Sequence, residues 1–186
     1  MIISEFHGFP LKINNYKHMK FFIFSIVFFL SANPFASFGS DFYPEEQALK
    51  MVKIALKEKA VTLVEKIEVA NFYGKEDTVV IYRFSREEGN DFYAVFTQAT
   101  GRYEKFDYLL AVDEKFAIEK IRVLKYRSEH GGEIASKKWL KQFENYSTGE
   151  LRYKKEISAL SGATISAGSI VADIPKVLKI LKDSCN

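Results

Sequence analysis

Cysteine is nearly absent from this chain. The single Cys185 excludes an intramolecular disulfide framework, a cysteine-rich zinc site and a C-x-x-C-H haem attachment. Histidine is scarce as well: of three, only His130 lies beyond the first 39 residues. No Ser-His-Asp set, H-E-x-x-H metal motif or Walker-type phosphate loop is present, and no acid/base pair that would handle a substrate stands out. An excess of one charge is missing too. With 27 Lys and Arg against 24 Asp and Glu, and no basic stripe interleaved with aromatics, a nucleic-acid role is disfavoured. What is present is apolar material, 47% of 186 residues, beside 27% charged residues. That suffices for a buried core in one domain, or one domain with an appendage.

The apolar residues are unevenly spread. Nine of the 17 Phe fall within the first 39 residues, where Lys12, Lys17 and Lys20 face the single acid Glu5. Phe21 to Leu30 is an uncharged run preceded by Lys17, His18 and Lys20. As a helix it would reach about 15 Å, half of a hydrocarbon core of about 30 Å. A basic start, a short apolar centre and small residues after it describe a secretory signal. Ser37-Phe38-Gly39 places small residues at −3 and −1, which predicts cleavage before Ser40; cleavage after Ala36 is the alternative, with Pro34 at −3. Met19 reads as the natural start, with residues 1–18 as an upstream extension. The expected organisation is an extension plus signal over 1–39 and one domain over 40–186. The location is then periplasmic or otherwise extracytoplasmic; the alternative is a membrane anchor formed by an uncleaved signal. No cysteine stands directly after the apolar run, which excludes a lipoprotein anchor there.

Beyond residue 39 the pattern is α+β. Pro44-Glu45-Glu46 suits a helix start, because proline fits the first turn and acids face the positive end of the dipole. Ala48, Met51, Val52, Ala55 and Leu56 continue at helical spacing, which predicts a helix over 44–58. Residues 61–70 are apolar but fit helix or strand. Strands are expected at Thr78–Phe84, Phe92–Ala99, Tyr108–Val112 and Ala117–Tyr126, with turns at Glu87–Asp91, Thr100-Gly101 and Asp113–Lys115. Such short gaps imply antiparallel neighbours. A second helix is expected over Ile134–Phe143, with Ile134, Trp139, Leu140 and Phe143 on one side. A last helix starts near Thr164 and buries Ile170, Ile174, Val177, Leu178 and Leu181, with Pro175 expected to kink or divide it. The fold class is therefore a mainly antiparallel sheet flanked by helices, without internal repeats.

Chemistry concentrates in Leu160-Ser161-Gly162-Ala163-Thr164-Ile165-Ser166. This segment turns from an extended stretch into the last helix. The first N–H groups of a helix lack intrahelical partners and the dipole there favours an anion. Gly162 permits close backbone approach, Ala163 adds little bulk, and Ser161, Thr164 and Ser166 supply hydroxyls within one turn. Taken on spacing alone the segment has two readings: a phosphate cradle, or a serine N-cap followed by small residues packed on the sheet.

Ser161-Gly162-Ala163-Thr164-Ile165-Ser166 resembles the S-G-A-T-x-[ST] signature of the FMN-binding domain family, which includes subunits of sodium-pumping NADH:quinone reductase and of the related Rnf electron-transport complex. The resemblance extends upstream through Tyr93–Thr97, Gly101-Arg102-Tyr103 and Leu109–Asp113, a hairpin region. It continues through the glycine-bearing loop Lys125–Ile134 and the short Trp139–Phe143 segment, covering roughly residues 92–182. By that resemblance the cofactor is FMN, moved from FAD by a flavin transferase onto the hydroxyl of Thr164 as a phosphoester. Ser161, Gly162, Ala163 and Ser166 would surround the phosphate. The family usually carries Asp three residues before the motif's Ser; Ser158 stands there in this chain, with Glu156 nearby, so FMN held without a bond, or no FMN, remain alternatives.

Other residues have two readings each. His130 approaches the flavin or a partner's haem, or is a solvated loop histidine. Gly131 and Gly132 serve close approach to the ring or an ordinary turn. Glu129 and Glu133 shape the flavin pocket or are surface charge before a helix. Trp139 is core or lines the flavin site, and Cys185 is read as an incidental thiol. The function expected is an exported FMN carrier that moves electrons between a donor and an acceptor, protein or quinone, with possible membrane association. Two alternatives are the flavin-bearing subunit of a membrane or periplasmic reductase complex, and a non-redox binding module without flavin.

Overall fold

The computed structural model describes residues 43–70, 78–87 and 89–185, all within the unit Asp41–Asn186. The expected export signal, its expected cleavage sites and the alternative anchor lie outside the described residues.

Pro44 precedes α1 (Glu45–Leu56), whose first-turn acids Glu45 and Glu46 face the positive end of its dipole. The helix stops at Lys57, which takes the left-handed conformation at φ 61°. Its inward stripe is small, Ala48, Val52 and Ala55, so the helix lies close on the sheet. That sheet has five strands in the order of the chain: β1 (Val61–Ala70), β2 (Thr78–Arg86), β3 (Phe92–Thr100), β4 (Lys105–Asp113) and β5 (Ile118–Lys125). Every pairing is antiparallel. The α+β class expected from the sequence is the one observed, and residues 61–70 resolve as strand.

Side chains alternate across the pleat, and both faces are covered. Val80, Tyr82, Phe84, Phe92, Ala94 and Phe96 face the core beneath α1. Val79, Ile81, Val95, Phe106, Tyr108 and Leu110 face the other core, which contains the stripe Ile170, Ile174, Val177, Leu178 and Leu181 of α3 (Thr164–Cys185). Each of these large side chains contributes about 1.5–3 kcal/mol by leaving water. The centre of the sheet is accordingly apolar on both sides, and Phe106 through Val112 are all buried.

Two expectations are corrected here. The stretch 134–143 is not one helix: a 3₁₀ turn (Gly132–Ala135), the four-residue α2 (Lys137–Leu140) and a second 3₁₀ turn (Lys141–Phe143) follow one another. Ser136, with ψ of 113°, breaks the first from the second. Ile134, Trp139, Leu140 and Phe143 are nevertheless all buried, so the apolar spacing was a true sign of packing and not of helix continuity. Pro175 does not divide α3, which runs for 22 residues. Proline costs a helix interior about 3 kcal/mol, and the buried residues on both sides of it, Ile170 to Leu181, outweigh that loss.

One buried charge pins the layers together. Asp107 of β4, 2% exposed, accepts from Arg127 at 2.9 and 2.7 Å, from Gln98 of β3 at 2.7 Å and from the Tyr43 hydroxyl at 2.9 Å. Burial alone would raise its pKa, but the Arg127, Gln98 and Tyr43 hydrogen bonds outweigh it and hold the carboxyl below its ordinary value. Tyr43 is pushed up in turn, by burial and by the neighbouring carboxylate. The clasp fixes Arg127, and so the start of the loop that leads from β5 to the site.

Candidate functional site

Three loops converge at one end of the sheet. The first is the β3–β4 turn, closed by a 2.9 Å bond from Gly101 N to Glu104 O. A Cβ at Gly101 would stand 2.5 Å from that carbonyl, so only glycine fits. The second is the loop Tyr126–Gly131 after β5. The third is the turn 161–163 into α3. Thr100 N donates to Ser169 Oγ at 2.9 Å and ties the end of β3 to α3.

Tyr126 holds the second loop against the third. Its hydroxyl donates to the His130 carbonyl at 2.8 Å, which leaves Ser166 Oγ as donor to Tyr126 Oη across 3.1 Å. Its ring packs on Phe106 with centroids 5.6 Å apart. Gly131 and Gly162 meet behind it, both in the left-handed region at φ 95° and 83°. A side chain at Gly131 would fall on the Tyr126 hydroxyl, and one at Gly162 on the Glu133 carboxyl, 2.8–3.0 Å away. Both glycines are therefore required by space as well as by φ.

The hollow between these loops has a volume of about 220 Å³. Gly162, Ala163, Thr164 and Ser166 line it, with Gly131 and His130 opposite. Arg102 and Tyr126 complete the wall, and Ile165, 53% exposed, stands at its rim. Thr164 is exposed, whereas Ser166 and Ala163 are buried. The first intrahelical bond runs from Ala167 N to Ala163 O at 2.8 Å, so Ala163 holds the N-cap position. Among the described residues no serine side chain caps this helix, and its first-turn amides are left without a side-chain acceptor. Ser161 is exposed and does not line the hollow. Nor do Gly132 and Glu129: Gly132 begins the 3₁₀ turn and Glu129 is exposed beside it. Glu133 shapes the site only from beneath Gly162.

Trp139 belongs to the core. It is buried edge-on to Phe143 at 5.2 Å, and its Nε1 donates to the Ser158 carbonyl at 2.8 Å. Gln142 Oε1 accepts from Ser158 N at 2.9 Å. The approach to the motif is thus fixed by backbone bonds, and the exposed Ser158 side chain takes no part in them.

Sequence reasoning gave no role to Arg102 or Tyr126, although both fall in the stretches quoted for the resemblance. The available signal for Arg102 was a cation directly after a turn glycine, in a site that must balance phosphate charge.

The FMN-binding domain matches residues 101–179. Over this stretch the chain is similar to that domain family. The match begins at the β3–β4 turn and ends inside α3, so it contains every residue that lines the hollow. FMN is the cofactor that this domain indicates. No curated protein matches the chain. The residues present suit FMN's phosphate: an uncapped helix start, two glycines that bring the backbone close, a threonine hydroxyl, and Arg102 as counter-charge. A larger hollow of about 560 Å³ lies elsewhere, lined by residues 55–58 and 119–123 and by Ala135, Lys137, Leu140, Lys141 and Glu144, and holds none of the motif.

Proposed function

We propose that FMN is held at the start of α3, joined through its phosphate to Thr164 Oγ, and that the protein is an exported electron-transfer carrier. The observation that carries this reading is the exposed Thr164 hydroxyl on an uncapped helix start, in the one stretch that matches both the family signature and the family domain. In the attachment step Thr164 Oγ bonds to the flavin-side phosphorus of FAD. The pyrophosphate P–O bond breaks, AMP leaves, and the hydroxyl proton goes to solvent or to the transferase that catalyses the exchange. FMN, once held, supplies one- or two-electron chemistry.

The chain's own residues bind and orient. First-turn amides and Arg102 offset the phosphate charge; Gly162 and Gly131 keep the walls low; Tyr126 locks the loop that carries His130. A hollow of about 220 Å³ is below the usual range of about 300–1,000 Å³ for whole ligands. That size favours a carrier whose ring is open to donor and acceptor over an enzyme that encloses a substrate. The basic, short apolar leader supports export. A covalent bond is useful there, because a secreted carrier cannot rely on retaining a dissociating cofactor.

A visible spectrum followed by denaturation tests the reading. The protein produced with a flavin transferase is expected to be yellow and to stay yellow on the unfolded chain, with the added mass on the Thr164 peptide. Colour released on unfolding would favour the second reading, FMN held without a bond, for which Ser158 in place of the family's usual Asp is the specific argument.

A further inference from the structure

The strand β5 ends the sheet, with β4 as its single strand neighbour among the described residues. Its outer edge is bonded at Ile118, to Asn145 N and Tyr146 O, and among the described residues the backbone of Glu119–Val123 makes no bond outside the sheet. That stretch is the floor of the groove of about 560 Å³. The C-terminal turn of α1 walls one side and Lys137–Glu144 the other. An open edge in a walled slot is the geometry that accepts an added strand.

The charges select what kind. Five cations line the groove, Lys57, Lys120, Arg122, Lys137 and Lys141, against Glu58, Glu119 and Glu144. The acids are already engaged: Glu58 and Glu119 both pair with Arg86, at 3.0 and 2.6 Å, and Glu144 pairs with Lys120 at 2.6 Å. Among the described residues no ion pair takes Lys57, Arg122, Lys137 or Lys141, and the buried Arg122 Nε has no hydrogen-bond partner. Half-buried Leu56 and Val123 supply apolar surface between them, over the buried Ile121 and Leu140.

We infer that this groove docks an extended, acidic segment of a partner protein, which adds to β5 as a sixth strand. Backbone bonds to Glu119–Val123 give the pairing, and acidic side chains meet Lys57, Arg122, Lys137 and Lys141. A second copy pairing edge to edge is rejected, because it would set Lys120 and Arg122 against their own kind. No residue lines both this groove and the FMN hollow, so the inference does not rest on where FMN sits.

The probe is a labelled extended peptide of alternating glutamate and valine, titrated into the full chain at low salt. Backbone amide shifts confined to Glu119–Val123 and their neighbours in the groove are expected, with affinity falling as salt rises. The double variant Lys137→Glu, Lys141→Glu, both sites exposed, should keep its circular dichroism and bind about ten-fold more weakly. Equal binding by that variant, equal binding of a lysine–valine peptide, or undiminished binding when proline interrupts the glutamate peptide would each overturn the proposal. So would a dimer in sedimentation that the double variant abolishes, since a second copy would then fill the groove.

Discussion

Tyr108 on β4 donates a 2.5 Å hydrogen bond to Asp173 on α3, and the two groups join the helix to the centre of the sheet. Burial pushes the Asp173 carboxyl up to about 7, with Lys176 drawing it partly back. A folded value above the unfolded one favours the protonated fold. This contribution is full below about pH 4 and is lost as pH rises through about 7. Asp173→Asn keeps an acceptor for Tyr108 without the charge. It should match the wild type in thermal melts at about pH 4 and exceed it at pH 8 by on the order of 2–4 kcal/mol.

Asp107 should behave with the opposite sign. Its folded value is lowered, so its contribution is present above about pH 4 and fades as pH falls further. Asp107→Asn leaves Arg127 without its charged partner in a largely buried clasp. The urea midpoint at pH 7 should drop by the equivalent of about 2–3 kcal/mol, and much of that difference should vanish in acid.

Substitution at Thr164 separates attachment from folding. The side chain is exposed, so Thr164→Val should melt within about 0.5 kcal/mol of the wild type. It should nevertheless carry no flavin mass on the 161–166 peptide. In that variant free FMN measures the rest of the hollow: adding Arg102→Gln should weaken it about ten-fold by fluorescence titration, through loss of a charge-assisted contact.

Gly162→Ala meets two obstacles at once, a φ of 83° and the Glu133 carboxyl within 3.0 Å. A cost of about 1–3 kcal/mol in chemical denaturation is expected, with loss of flavin loading. Adding Glu133→Ala should return the part of the cost that comes from the collision and leave the part that comes from φ.

Much of this molecule was legible in its sequence, for identifiable reasons. Strands β2 to β5 announce themselves by β-branched and aromatic runs between turns, and the observed sheet joins them in chain order. β1 was ambiguous because a bulge between Leu63 and Glu65 interrupts its alternation. The segment 134–143 has the spacing of one helix, yet Ser136 leaves helical geometry between its two halves. The motif at 161–166 and the loop at 130–131 were visible because glycine at positive φ leaves a mark in the sequence. Arg102, Tyr126 and the Asp107 clasp were not, since each depends on partners distant in the chain: Tyr126 meets Ser166, and Asp107 meets Tyr43.

A meander sets each strand beside the one made just before it, so hairpin after hairpin can form while later residues are still being synthesised. The closing helix comes after all of them, and the hydroxyl at its head is among the final parts to find its surroundings. A polypeptide cut short ahead of residue 164 would keep the ribbon and lose the place where a prosthetic group could be fastened. If flavin is fastened at Thr164 as proposed, only a chain finished to its last helix could carry it, and loading would double as quality control.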